Sequence, residues 1–253
     1  MRENDTAPLQ LLDPFVALAL LTRLPLPTLP DQAFERQAHA SWAFPIVGLV
    51  VGAIAAVIAA IALGVGLPVW IAAGLAVTAQ IIVTGAMHED GLADTSDGFW
   101  GGWTTDRRLE IMKDSRIGTY GVLSLVLFVG LRWAAMSVVL SHSVWMILAI
   151  AVASRMGLPA LMAALPRVRP GGLSDRVGEP PTPSVLLSGG IGLFLVGLVL
   201  GADMAVVVLA TILAVWACGA IARAKIGGQT GDVLGATQQM TELACLIALA
   251  AAL

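Results

Sequence analysis

Charge is scarce in this sequence. Acidic and basic side chains make up 12% of the 253 residues, against roughly 25% in a soluble globular domain, and the mean hydropathy is +0.88. Those values exclude an ordinary water-soluble fold and mark a multi-span membrane protein. Positive charge is scarcer still: the formal net charge is -3, and lysines and arginines fall in short clusters beside apolar runs. With no long basic face, a nucleic-acid partner is excluded. Cysteine occurs only as Cys218 and Cys245, both inside apolar runs, where they read as small hydrophobes and say nothing of the redox compartment. The opening MRENDTAPLQLLDPF lacks the basic start, apolar core and small-residue cleavage site of a secretory signal, so the spans themselves are expected to direct insertion.

What the chain has in abundance is apolar runs. Those long enough to cross a bilayer, or nearly so, lie at about 41–64, 68–87, 118–140, 143–165, 184–201, 203–223 and 232–253, each close to the roughly 20 residues a crossing helix needs. An earlier run, 13–28, is cut short by Arg23 and three prolines and reads as an interfacial or re-entrant helix. The expected fold is therefore all-α: a polytopic bundle of about seven transmembrane helices with a short N-terminal helix, residues 1–253 forming one membrane-embedded domain. Small residues four apart, Gly48 with Gly52 and Gly197 with Gly201, allow close helix approach. They suit packing within one bundle better than a dimer face, and a homo-oligomer stays open.

Twelve of the fourteen basic residues lie in the N-terminal segment and the second, fourth and sixth gaps between runs. The positive-inside rule makes that side cytoplasmic. The other two, Arg132 and Arg155, fall within spans, and an intramembrane arginine is expected to face an acidic partner or a wet cavity. Glu242, the one carboxylate well inside a span, is the natural counterpart. Arg155 could also reach a phosphate.

Against this background the stretch 84–121 stands out as an acid-rich island. It holds Glu89, Asp90, Asp94 and Asp97 within nine residues, followed by Arg107, Arg108, Lys113, Asp114 and Arg116. On a helix, Asp90, Asp94 and Asp97 share one face. Their mutual repulsion makes sense around a cation, and hard oxygen ligands without cysteine favour magnesium or manganese over zinc. Asp90, Asp94, Asp97 and Asp114 form the expected metal group, with Glu89 at its margin. Such a cluster could neutralise and orient a diphosphate for phosphoryl transfer. Lys113 and Arg116 precede a turn whose Gly118 and Thr119 could receive phosphate oxygens, and Gly228, Thr230 and Asp232 repeat the arrangement before the last run. His88 could act as general base, with an aspartate beside the metal as its competitor. Trp100 and Trp103 read as interface markers, placed where a flat ligand could rest.

Several long strings carry a resemblance. HEDGLADTSDG at 88–98, IMKDSRIGTYG at 111–121 and GGQTGDVLGA at 227–236, with ALLTRLPLP at 19–27 and WAFPIVGLVVG at 42–52, are similar in kind and order to the adenosylcobinamide-GDP ribazoletransferase family, also called cobalamin synthase. The resemblance implies a magnesium-dependent enzyme of the prokaryotic inner membrane. Its donor would be adenosylcobinamide-GDP, its acceptor the ribose 3'-hydroxyl of alpha-ribazole or alpha-ribazole 5'-phosphate, and its products adenosylcobalamin or the 5'-phosphate and GMP. At the position of Glu89 the family also accepts leucine. DGLADTSD further resembles the aspartate-rich signature of CDP-alcohol phosphotransferases, but the Ala-Arg pair and the later GxxxDxxxD of those enzymes are missing.

Overall fold

A computed structural model describes residues 9–253, so Arg2 and the start of the N-terminal segment lie outside the described residues. The described chain is helical, with one isolated bridge between Arg167 and Gln229. In order come α1 (Asp13–Leu21), α2 (Gln37–Ala40), α3 (Phe44–Gly64), α4 (Val69–Thr84), α5 (Met87–Gly101), α6 (Thr105–Ile111) and α7 (Thr119–His142). They are followed by α8 (Met146–Met156), α9 (Leu158–Ala164), α10 (Leu173–Val177), α11 (Thr182–Leu200), α12 (Met204–Ile226) and α13 (Gly231–Ala252).

Five helical stretches are long and apolar enough to cross a membrane, and a sixth if the bent pair α4 and α5 is included. One of the five, Thr182–Ile226, is 45 residues long, more than twice what a bilayer needs. It breaks at Gly201, which adopts a positive φ of 56°. Leu186 and Leu193 of α11 then line the same groove as Thr211 and Trp216 of α12, so the chain doubles back and crosses twice. The apolar runs suggested about seven spans; five or six helical stretches meet the length and hydropathy of a crossing helix, and α4, at 16 residues, does so only together with α5.

The boundaries follow local chemistry. Proline opens α3, α9 and α11 within their first turns, where a missing N–H costs nothing. Gly85 and Gly227 close α4 and α12 in the left-handed region, at φ 64° and 77°, which glycine alone enters freely. The run expected at 143–165 is interrupted at Gly157, where α8 gives way to α9. At the other predicted break, α1 is the short helix expected before the first span. It is anchored by buried Asp13, which pairs with Arg36 and accepts from Trp42 Nε1 at 2.9 Å.

Small residues decide how closely the helices meet. A Cβ on Gly48 would strike the carbonyl of Ala151, and one on Gly52 would lie 2.9 Å from Leu148 Cα, so the GLVVG string is the contact surface of α3 on α8. Buried alanines, among them Ala55, Ala59, Ala72 and Ala76, continue that packing between α3 and α4.

The acid island is helical, as the spacing of Asp90, Asp94 and Asp97 allows. After α4 the chain turns by 87° into α5, passing through Ala86 at φ 58°. Beyond that bend α5 packs mainly on α13 and α7. Its own sequence is too polar to span, but His88, Glu89 and Asp97 on it are buried.

Candidate functional site

Two glycines bring the acidic strings together. An added Cβ on Gly91 would lie 2.7 Å from the Asp232 carbonyl, and Gly235 faces Gly91 in return, so α5 and the start of α13 meet backbone to backbone. This places Asp90 and Asp94 beside Asp232, although the strings are far apart in sequence. Thr230 caps α13, its hydroxyl accepting from Val233 N–H at 3.3 Å, and Gly228 sits so close to the Pro166 carbonyl that it has no room for a side chain.

The carboxylates divide sharply by partner. Glu89 is turned inward to Arg132 at 2.8 Å. Asp97 accepts the N–H groups of Gly118 and Gly121 at 2.7 and 2.8 Å. Asp114 pairs with Arg116 at 2.8 Å on the surface, and its carboxyl is held down to about 2 by that hydrogen-bonded guanidinium. Asp232 pairs with Arg169 at 2.6 Å. Asp90 and Asp94 have no hydrogen bond or ion pair for their side chains among the described residues. Partial burial, followed by the charges of Asp90 and Asp232, pushes the Asp94 carboxyl up to about 7.

Several sequence expectations are corrected by these contacts. The five acids expected around the metal do not converge, and among the described residues no three His, Cys, Asp or Glu side chains form a cage for an ion. Glu89 serves a buried ion pair and Asp114 a surface one. Asp97 ties α5 to the first turn of α7, so the Gly118 turn spends its N–H on Asp97 instead of on a phosphate, and a Cβ on Gly118 or Gly121 would collide with that carboxylate. Arg116, Lys113 and Thr119 are exposed on the far side of this latch, Arg116 engaged by Asp114. Arg155 is buried and donates to the Ala151 carbonyl at 3.0 Å and Ser154 Oγ at 3.2 Å. It acts on His88 through its charge and does not line the cavity.

The latch has a measurable consequence. Asp97→Asn keeps one acceptor but leaves an N–H of α7 badly matched, and is expected to lower stability by about 1–3 kcal/mol without changing the magnesium concentration that gives half-maximal activity. A raised magnesium requirement, read from a titration of rate against metal, would return Asp97 to the metal group.

Four of the remaining candidates, His88, Asp90, Thr230 and Asp232, line a cavity of about 210 Å3 next to α5, while Asp94 and Gly228 are not on its wall. His88 is buried and neither ring nitrogen has a partner within the protein. Burial, then Arg155 and Arg132, hold it well below the usual histidine range, so it is a neutral and weakly basic imidazole. Residues that the sequence reading passed over complete the wall: Arg167, Arg169, Ser174 and Gln229. The signal for them was the RVR string in the fourth basic gap, recognised there for topology only. Arg169 keeps Nε and Nη2 without partners, donors available to an anion. Trp100 is covered by Lys225 Nζ, 4.2 Å above its ring, while Trp103 is exposed.

Behind the cavity lies a buried polar network. Arg132 of α7 reaches Glu89 at 2.8 Å, Gln239 Oε1 at 2.7 Å, Gln80 Oε1 at 2.9 Å and Glu242 at 3.1 Å. Gln238 Nε2 extends it to Glu242 at 2.6 Å and Ser154 Oγ at 3.0 Å. Of the two arginines within spans it is Arg132 that meets Glu242, and its guanidinium ties together α4, α5, α7 and α13.

With this geometry in hand, comparison with known proteins is specific. A family model described as cobalamin-5-phosphate synthase matches residues 13–250. A Bradyrhizobium diazoefficiens protein named adenosylcobinamide-GDP ribazoletransferase is 43% identical over 241 residues, 93% of this chain and 92% of the relative. Proteins of the same name from Brucella anthropi and Brucella canis are 44% and 42% identical over 255 residues, each match covering 95% of this chain and 97% of the relative. No solved structure matches the chain.

Proposed function

The chain belongs to the cobalamin-5-phosphate synthase family, and from that membership we propose that it moves the adenosylcobinamide-phosphate group of adenosylcobinamide-GDP onto the ribose hydroxyl of alpha-ribazole or its 5'-phosphate. The observation that carries the reading is the pair of idle carboxylates, Asp90 and Asp94, beside a cavity lined by two arginines. Every other acid around the site already has a partner.

Magnesium fits this reduced donor set. The ion usually takes only one or two protein carboxylates and fills its remaining positions with water and substrate phosphate oxygens. Asp90 and Asp94 would hold it, and when bound it supplies charge neutralisation for the diphosphate. Crowding that raises Asp94 toward neutrality is relieved by such a cation.

The chain's own residues do the rest. Arg169, positioned by Asp232, and Arg167 at the mouth meet diphosphate oxygens. The acceptor's hydroxyl oxygen bonds to the phosphorus that carries cobinamide as the bond from that phosphorus to the bridging oxygen breaks, and the bridging oxygen departs on GMP. Asp94, beside the metal and next to the acceptor, takes the hydroxyl's proton in preference to His88, whose imidazole is made weakly basic by burial and by the charges of Arg155 and Arg132. The basic loops that frame the site support, by the positive-inside rule, a position on the cytoplasmic side of the inner membrane, where nucleotides are available.

The direct test is GMP release by purified protein. Release from adenosylcobinamide-GDP is expected only with alpha-ribazole or its phosphate present, to vanish with chelator and to return with magnesium. Release independent of the acceptor, or CMP release from a CDP-alcohol in its place, would overturn the assignment.

A further inference from the structure

A second opening, of about 1100 Å3, runs between α11 and α12 with residues of α8 and α9 as its floor. It exists because the two helices lean on different neighbours: α11 packs chiefly on α8 and α12 chiefly on α13, and they meet each other little. Along α12, Val208, Ile212, Val215, Gly219 and Arg223 line it at three- and four-residue steps, which makes one continuous stripe. From Val208 to Arg223 that stripe covers about 22 Å, most of the roughly 30 Å hydrocarbon thickness of a bilayer. On the α11 wall a Cβ added to Gly189 or Gly190 would find nothing within 4 Å, so the groove is wide there.

The groove is apolar along its length and charged at one end. Thr211 spends its hydroxyl on the Val207 carbonyl at 2.9 Å, while Leu186, Leu193 and Trp216 are exposed. Among the described residues Arg223 is the one charged side chain on the wall. It is exposed, and its one hydrogen bond there runs from Nη2 to the Ala164 carbonyl at 3.1 Å, which leaves the other guanidinium donors to a group outside the protein. Helix α9 is a thin partition: Ala160, Leu161 and Ala164 face this groove, and Leu158 and Met162 face the cavity beside Asp90. An apolar space of this size does not hold ordered water, and left empty it would forfeit the contacts of every group that lines it.

We propose that this groove is a binding site for an anionic phospholipid, its acyl chains lying along α12 and its phosphate received by Arg223. The guanidinium fork suits phosphate oxygens. Chains that enter from the Arg223 end need a depth of about half the roughly 30 Å hydrocarbon core, and the stripe provides it. A second copy of this chain is the rival occupant. Set symmetrically in the same bilayer, it would bring its own Arg223 to the depth of the first, and no acidic side chain lines the groove to separate the two charges, an arrangement that like-charge repulsion opposes. A zwitterionic lipid fills the apolar part equally well but brings a cationic headgroup to a cationic side chain, so the charge at the mouth sets the preference.

Trp216, on the groove wall, reports on the occupant. The full-length protein is reconstituted in phosphatidylcholine vesicles into which brominated phosphatidylglycerol or brominated phosphatidylcholine is introduced stepwise. The contribution of Trp216 is the difference in fluorescence quenching between the unaltered protein and Trp216→Phe. Half-maximal quenching is expected at an about fivefold lower mole fraction of the glycerol lipid than of the choline lipid, the worth of one basic side chain beside an anionic headgroup. Arg223→Gln is expected to bring the two lipids within about twofold of each other. Gly190→Phe, whose ring enters the open groove without meeting a neighbour at Cβ, is expected to weaken quenching by both. Should Arg223→Gln fail to fold, Gly190→Phe and the comparison on the unaltered protein decide. Equal quenching by the two lipids, or a preference that survives Arg223→Gln, would overturn the proposal. Trp216 quenching that falls as the ratio of protein to lipid is raised would give the groove to a second copy and overturn it as well.

Discussion

Asp94→Asn is expected to reduce GMP release from adenosylcobinamide-GDP by about 10²–10⁴-fold, the range for removing a positioned acid–base group, while the protein remains folded. The asparagine has the same shape and cannot take a proton or offer two anionic oxygens to a cation. No side-chain hydrogen bond or ion pair is found for Asp94 among the described residues, so the change breaks none. It also removes one of the like charges that Asp90 and Asp232 press upon, so thermal unfolding in detergent should come at the unaltered temperature or slightly above it. Loss of activity without loss of stability is the pattern of a group kept for chemistry at some cost to the fold. Rates within threefold of the unaltered protein, with unchanged magnesium dependence, would remove Asp94 from the mechanism.

Arg132→Ala is expected to do the reverse, failing through the fold. The side chain is 2% exposed, donates hydrogen bonds to Glu89, Gln80 and Gln239 and forms an ion pair with Glu242. Its removal leaves two carboxylates buried and uncompensated, and breaking a buried pair in this way typically costs about 3–5 kcal/mol. The expected result is poor recovery from membranes and a large drop in unfolding temperature in detergent. Adding Glu242→Gln should restore part of that stability, because one orphaned charge is then gone and the two changes are not additive. An Arg132→Ala protein that unfolds with the unaltered one would show the network to be dispensable.

The two variants probe features that the sequence reveals to different degrees. Spans were legible because an apolar run of about 20 residues has few alternatives in a bilayer, and the breaks at Gly66, Ser143, Gly201 and Gly227 fall where the helices end. Glu242 was legible as the counterpart of an intramembrane arginine because charges inside spans are rare; that Arg132 and not Arg155 meets it was not. The acid string was legible as a site, and its i, i+4 spacing as a helix. Which of its members are free was not. Glu89, Asp90, Asp94, Asp97 and Asp114 are chemically alike, and only contacts with Arg132, the Gly118 turn and Arg116 separate the engaged acids from the idle ones. The cavity wall was hidden for a related reason. Arg169 and Gln229 lie in a basic gap and a glycine turn that each look like an ordinary connection, and nothing local announces that one arginine pairs with Asp232 while the glutamine lines the cavity.

The sequence by itself determined that the chain is a helical membrane protein, that its basic residues cluster in alternate gaps between apolar runs, and which family it resembles, because composition, period and long strings are properties of the chain taken in order. The tertiary structure alone decided that α5 packs against α13, that Asp90 and Asp94 have no side-chain hydrogen bond or ion pair among the described residues, and that a cavity opens beside Asp90. Each of these depends on residues distant in sequence meeting at glycine-sized contacts, and a contact of that kind leaves no periodic trace along the chain.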